Sequence, residues 1–252
     1  VVKYFDINEQ KFSIRCKYYL GKDPRAVTDI VIATYGFGGN KDNSATEKFA
    51  ERLIAKYKHF GVVVFDWPCH GADSRNRLLP DECMTYYQLV VQHALEEMHA
   101  EKLYAYGTSL GGYFTLRYLK EYGNPFHKIA LRCPAINIYQ IMTADITDEE
   151  QAKLNRGKEI VRGYTRKIKL TQEFFEQLKA VDVRRMEYFD FADDMLILHG
   201  TKDEFIPFEE IRQFAEDNVI ELLPVENADH PFSDPHIMDL AISKIISFFH
   251  PE

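Results

Sequence analysis

Hydrophobic and polar positions along this chain switch repeatedly between two periods. Short continuous runs of β-branched and aromatic residues alternate with longer stretches in which apolar residues recur every three or four positions. Tyr4 to Asp6 and Phe12 to Leu20 read as a first pair of strands, antiparallel and at a sheet edge. Asp29 to Tyr35 is a β-branched run of the kind that is buried on both faces, and it ends in glycine-rich Gly36-Phe37-Gly38-Gly39-Asn40. A helix follows, with Ser44-x-x-Glu47 as its capping box and Phe49, Leu53 and Tyr57 on one face. Gly61 to Trp67 predicts the next strand, followed by a loop from Pro68 to about Glu82. Tyr87, Val90, Val91, Ala94, Leu95 and Met98 then form an apolar helical stripe. Lys102 to Tyr106 and Lys128 to Cys133 predict strands on either side of a helix from Tyr113 to Tyr122.

From about Ala135 to Val183 the pattern changes: the segment is charged, helical in tone and without a strand-like run. Met195 to His199 is a strand again, Pro207 starts a helix with Glu209 and Glu210 in its first turn, and Val219 to Val225 is the last strand. Asp234-Pro235 begins a final helix whose apolar face is Ile237, Leu240, Ala241, Ile245 and Phe248. Strands alternating with helices imply an α/β fold, a mostly parallel central sheet covered by helices on both faces. Binding sites on such sheets lie at the carboxyl ends of the strands.

Composition narrows this picture. With 252 residues, 46% of them hydrophobic, the chain can fill one domain, residues 1–252, with 135–183 as an insertion. A net charge of −8 argues against nucleic acid as the main partner. No apolar run approaches the roughly 18–20 residues of a membrane span, and Val1 to Asp6 lacks the apolar core of a signal peptide, so the expected compartment is the cytoplasm. Cys16, Cys69, Cys83 and Cys133 are too widely spaced for a zinc pattern or a dense disulfide framework. No metal or organic cofactor is implied, and a homodimer is compatible with the sequence.

The candidate chemistry is organised around Gly107-Thr108-Ser109-Leu110-Gly111-Gly112. A strand, a tight turn with serine at its tip and a helix form a nucleophile elbow, and the flanking glycines allow backbone to approach backbone. A serine hydroxyl needs a base to become a nucleophile. In the order serine, acid, histidine, the chain offers Asp203 after one strand and His230 after the last, with Glu204 an adjacent rival for the acid. His199 ends a strand and His70 lies in an early loop, so neither fits the base. The N–H groups of Phe37 and Leu110 are the candidate oxyanion donors. Every one of these candidates falls just after a strand. A histidine base implies activity falling below about pH 6 to 7.

Five segments in this order resemble the α/β-hydrolase fold serine hydrolases, and within them the small-capped carboxylesterases, monoacylglycerol lipases and cinnamoyl or feruloyl esterases. They are Tyr35-Gly36-Phe37-Gly38-Gly39, Asp66-Trp67-Pro68-Cys69-His70-Gly71, the elbow, His199-Gly200-Thr201-Lys202-Asp203 and Ala228-Asp229-His230. The resemblance implies a serine ester hydrolase acting on a small-molecule ester, with Ser109, Asp203 and His230 catalytic. It also implies a cap formed by the insertion, and Asp66, His70 and Gly71 as loop architecture. Tyr35 and Thr108 stand where the group commonly has histidines, and Cys69 where it has glycine; these departures bear on substrate choice. In the cap, Tyr139 and Tyr164 are candidate substrate contacts, and Met142, Phe174 and Phe175 could grip substrate or pack the cap. Seven basic residues between Lys153 and Lys169 include Lys158, Arg162 and Arg166 at helical spacing, and either attract an anionic substrate or form a solvated face. A thioesterase or acyltransferase, a peptidase with the same triad, and a ligand receptor on the same fold are the rival readings.

Overall fold

The structure, a computed structural model, describes residues 1–9, 11–73, 77–163 and 166–250. In chain order its strands are β1 (Val2–Glu9), β2 (Phe12–Tyr19), β3 (Asp29–Thr34), β4 (Phe60–Phe65), β5 (Lys102–Thr108), β6 (Phe126–Arg132), the short β7 (Ile160–Arg162) and β8 (Ile168–Leu170), β9 (Met195–Gly200) and β10 (Glu221–Val225). Its helices are α1 (Ser44–Lys56), α2 (Pro80–Glu96), α3 (Leu110–Tyr122), α4 (Ile138–Thr143), α5 (Asp148–Asn155), α6 (Gln172–Ala180), α7 (Phe208–Asn218) and α8 (Pro235–Phe249). Eight strands make one sheet in the order β1-β2-β4-β3-β5-β6-β9-β10. β1 and β2 pair antiparallel, β2 runs antiparallel to β4, and the rest of the sheet is parallel. With helices on both faces and this strand order, the sheet has the α/β-hydrolase fold that the sequence resemblance implies.

Continuous apolar runs explain the centre of the sheet. Every residue of β3 and β4 is buried, as a strand covered on both faces requires. Trp67, just past β4, is fully buried between Phe65 and Phe114, with ring centroids at 4.6 and 4.9 Å, and donates its indole N–H to the Tyr35 carbonyl at 3.2 Å. That contact seats α3 against the end of β4 and fixes where β3 ends.

Four local expectations are corrected. Asn43, not Ser44, caps α1: its Oδ1 accepts from the Thr46 N–H at 2.9 Å. Val219 lies outside the last strand; it closes α7 in a left-handed conformation (φ 58°) and is exposed. In α8 the buried face is Ala241, Ile242, Ile245, Ile246 and Phe249, and Leu240 is exposed, because apolar residues occur nearly all round this helix and spacing alone does not select a face.

The fourth correction concerns the segment between β6 and β9. It is not wholly helical, since β7 and β8 pair antiparallel within it. Arg162 sits on β7, and Arg166 follows it in a bend before β8, so the helical i, i+4 alignment of Lys158, Arg162 and Arg166 does not form. Ile160, Ile168 and Leu170 point inward on this hairpin at the strand period of two. Phe174 and Phe175 are buried and meet edge to face at 5.1 Å, so they pack this segment.

Candidate active site

Ser109 lies between β5 and α3 with φ 51° and ψ −116°, a conformation that costs a non-glycine residue about 1–3 kcal/mol. The surroundings hold it there. Its N–H donates to the Arg132 carbonyl at 3.1 Å, and its carbonyl accepts from Tyr113 at 3.1 Å and Ala135 at 3.0 Å. Gly111 is required because a Cβ there would lie 2.5 Å from Thr34 Oγ1 and 2.8 Å from the Thr34 carbonyl carbon. The turn is therefore pressed against the end of β3.

His230 lies in the loop between β10 and α8. Its Nε2 is 2.9 Å from Ser109 Oγ and its Nδ1 is 2.7 Å from Asp203 Oδ2. Asp203 follows β9, and its side chain is buried. Oδ1 accepts from the N–H groups of Phe205 and Ile206, both at 2.9 Å, so the carboxylate is aimed by its own loop. Burial pushes the Asp203 carboxyl up, but the hydrogen bond and charge of His230 and the Ile206 N–H outweigh it, and the group lies below its ordinary value. Glu204 Oε2 instead accepts the His230 backbone N–H at 3.4 Å. His199 is buried, with its Nε2–H directed to the Ile206 carbonyl at 2.9 Å, and burial keeps it below its ordinary value.

The loop after β3 passes beside the serine: a Cβ on Gly36 would be 3.1 Å from Ser109 Cβ and 3.4 Å from Oγ. Leu110 is the first residue of α3, so its N–H is one of the donors that a helix start leaves unbonded. Among the described residues, no hydrogen bond uses the N–H of Phe37 or of Leu110.

This loop is held from behind by residues after β4. Asp66, with a side chain 0% exposed, accepts from the Lys41 N–H at 2.8 Å, Lys41 Nζ at 3.1 Å, the Tyr35 hydroxyl at 3.2 Å and the Ala72 N–H at 3.1 Å. Tyr35 Oη in turn accepts from the Trp67 N–H at 3.0 Å, and burial followed by the Asp66 charge keeps this phenol well above its ordinary value. A tyrosine where the resembling group commonly has histidine thus gains a structural role in a buried network. His70 donates from Nδ1 to the Pro68 carbonyl at 2.9 Å and accepts the Gly38 N–H on Nε2 at 3.0 Å. Burial pushes its imidazole down to about 4, which keeps Nε2 an acceptor near neutrality. Cys69 has φ 67°, a region that glycine enters freely.

The structure brings Ser109, His230 and Asp203 into one hydrogen-bonded chain, with Phe37 and Leu110 in the two segments beside the serine. Tyr139 is elsewhere. It lines a cavity of about 240 Å³ with Ile136, Leu178, Asp182 and Arg184, and Ser109, Phe37 and His230 are not among the residues lining it. Tyr164 lies outside the described residues. Much of the basic segment is paired: Arg162 with Glu150 at 2.7 and 3.0 Å, Lys153 with Glu149 at 2.8 Å, and Lys169 and Arg77 with Glu159 at 2.9 and 2.7 Å. Two neighbours of the site escaped the sequence reading. Lys41 carried no signal beyond a polar turn. Phe205, half exposed, meets the His230 ring edge-on at 5.2 Å.

A family model described as alpha/beta hydrolase fold matches residues 29–159. No curated protein matches the chain in sequence. Among solved structures it is similar to Est1E from Butyrivibrio proteoclasticus with ferulic acid bound, at TM-score 0.79 and 18% identity over 97% of each chain. It is also similar to alpha/beta hydrolase domain-containing protein 10 from mouse, at TM-score 0.71 and 16% identity over 98% of each chain. A monoacylglycerol lipase from Paleococcus ferrophilus gives TM-score 0.66 and 18% identity over 94% of this chain and 100% of that one. Among the described residues no helix is long and apolar enough to cross a membrane.

Proposed function

The chain belongs to the α/β hydrolase fold family, and from that premise we propose that it is a serine carboxylic-ester hydrolase working through an acyl-enzyme. The observation that carries this reading is the hydrogen-bonded chain Ser109–His230–Asp203, at 2.9 and 2.7 Å. His230 Nε2 takes the Ser109 proton as Oγ attacks the ester carbonyl, and Asp203 holds the imidazole in the required tautomer and stabilises its charged form. The N–H groups of Phe37 and Leu110 receive the oxyanion, each worth about 3–4 kcal/mol in the transition state. The C–O bond to the alcohol then breaks, the alcohol leaves with the proton from His230, and water repeats the cycle to release the acid.

The segment between β6 and β9 serves as a cap on a single hydrolase domain. Small acyl or hydroxycinnamoyl esters are the proposed substrates, in keeping with the likeness to a structure that binds ferulic acid. A thioesterase reading drew its support from a basic cap free to meet an anion, and the pairing of Arg162, Lys153 and Lys169 with glutamates removes much of that support. The buried thiols Cys16 and Cys133 agree with a reducing compartment, and we assign the activity to the cytoplasm.

The test is a p-nitrophenyl ester series from acetate to decanoate, with methyl ferulate added, run on wild type and Ser109→Ala. Turnover that disappears in the variant supports the reading, and the chain-length optimum sizes the acyl pocket. No turnover of any ester by wild type refutes it.

A further inference from the structure

Within the basic run, Arg166 reaches the loop that follows β4. Arg166 Nη1 donates to the Gly71 carbonyl at 3.1 Å, and its Nη2 donates to the Asp73 carbonyl. A guanidinium suits this task, because its planar fork fixes two acceptors at once where an ammonium fixes a point. The same hairpin is tied to the chain just beyond: the Leu78 N–H donates to the Lys169 carbonyl at 3.2 Å, and Arg77 pairs with Glu159. β7 and β8 are thus docked on the end of the loop that starts at Asp66.

That loop also contains His70, whose neutral imidazole spans two backbone groups. Nδ1–H holds the Pro68 carbonyl of its own loop, and Nε2 accepts the Gly38 N–H. Gly38 (φ 80°) sits in the turn that the Gly39 N–H closes on the Gly36 carbonyl at 3.2 Å. This turn carries Phe37 past Ser109, so the direction of the Phe37 N–H depends on how firmly the Gly38 peptide is held. A continuous run of contacts leads from the hairpin through Arg166, Gly71 and His70 to Gly38.

We propose that Arg166 and His70 are positioning residues that couple the β7–β8 hairpin to the oxyanion turn, so that the seating of the cap sets the transition-state stabilisation available at Ser109. This rests on the serine hydrolase reading. It also gives the basic segment a role that binding of an anionic substrate does not.

The experiment combines kinetics on p-nitrophenyl butyrate with amide hydrogen exchange over residues 36–41, for wild type, R166A, H70F, H70Q and R166A/H70F. Oxyanion stabilisation acts in the transition state, so R166A and H70F each lower kcat about tenfold or more while KM stays within roughly twofold. H70Q recovers most of the loss, because its amide oxygen can accept the Gly38 N–H, which phenylalanine cannot. The double variant is no slower than the worse single, since both changes break one path. R166A speeds exchange in residues 36–41 although the substitution lies on the hairpin. If H70F does not fold, R166A and H70Q still decide the matter.

Three results overturn the proposal: a raised KM with unchanged kcat in R166A, effects that multiply in the double variant, or unchanged exchange in residues 36–41 on loss of Arg166. If wild type cleaves no ester, the hydrolase reading falls, and the exchange experiment still decides whether hairpin and turn are coupled.

Discussion

The turn after β3 and the segment between β6 and β9 both depend on charged side chains, and they use them in opposite ways. Behind the turn, Asp66 is fully buried, the Lys41 side chain is 10% exposed, and Asp66 also holds the backbone N–H groups of Lys41 and Ala72 and the Tyr35 hydroxyl. In the segment, pairs such as Arg77–Glu159 and Lys153–Glu149 lie at the surface over Ile160, Ile168, Phe174 and Leu178, which are continuous with the main apolar core. Buried charges cost several kcal/mol to desolvate and become costly again when one partner is removed, whereas exposed pairs contribute about 0–1 kcal/mol. The two arrangements therefore fail differently. The turn beside Ser109 is built for exact placement, and the segment between β6 and β9 keeps its charge pairs at the surface over packed apolar residues.

The largest effect is expected at Ser109, which both regions touch. Ser109→Ala lowers kcat/KM by about 10⁴-fold or more, measured on the best p-nitrophenyl ester, with thermal stability near wild type. Asp66→Asn comes next: it leaves Lys41 with the half-exposed Asp42 as charge partner, weakens the hydrogen bonds that converge on the carboxylate, and costs about 3–5 kcal/mol in chemical denaturation. A loss below about 1 kcal/mol would show that Asp66 is not the organiser of the turn. Gly71→Ala follows at about 2–4 kcal/mol, because its Cβ would lie 2.2 Å from the Asp66 carboxylate and φ is 51°.

The pH dependence of stability sharpens the same contrast. His70 titrates at about 4 in the folded chain, whereas an unfolded histidine titrates near 6.5. Between these values the unfolded chain binds a proton that the native chain refuses, so stability is retained above about pH 6.5 and lost as pH falls toward 4. The full loss is about 3 kcal/mol, and His199, also lowered by burial, acts in the same direction. Melting curves of His70→Gln should therefore fall less steeply across this window than those of wild type. The smallest effect belongs to the surface: Glu159→Gln, which breaks two pairs at once, costs well under about 1 kcal/mol.

The parallel sheet, the elbow and the chain order Ser109, Asp203, His230 were legible because each rests on local pattern. β3 and β4 are uninterrupted apolar runs, and the glycines around Ser109 answer a steric need that can be stated without a structure. Of the residues that hold the turn, Asp66, His70 and Gly71 were legible only as architecture, and Lys41 was not legible at all. Lys41 and Tyr35 meet Asp66 across 25 and 31 positions of chain, and no spacing rule reports such a contact. The hairpin was missed because β7 and β8 have three residues each, too few for a period of two to stand out among the charges. The buried face of α8 was misplaced for the opposite reason, since too many of its positions are apolar.

The central claim is that Ser109 is the nucleophile of an acyl-enzyme, and rapid acid quench with mass spectrometry tests it most directly. Wild type mixed with a p-nitrophenyl ester and quenched within the first turnovers should yield a peptide containing Ser109 that has gained one acyl group. His230→Gln should abolish that adduct, and Asp203→Asn should slow its formation by about 10³–10⁴-fold. Ester turnover without any adduct, or an adduct on a residue other than Ser109, would contradict the account.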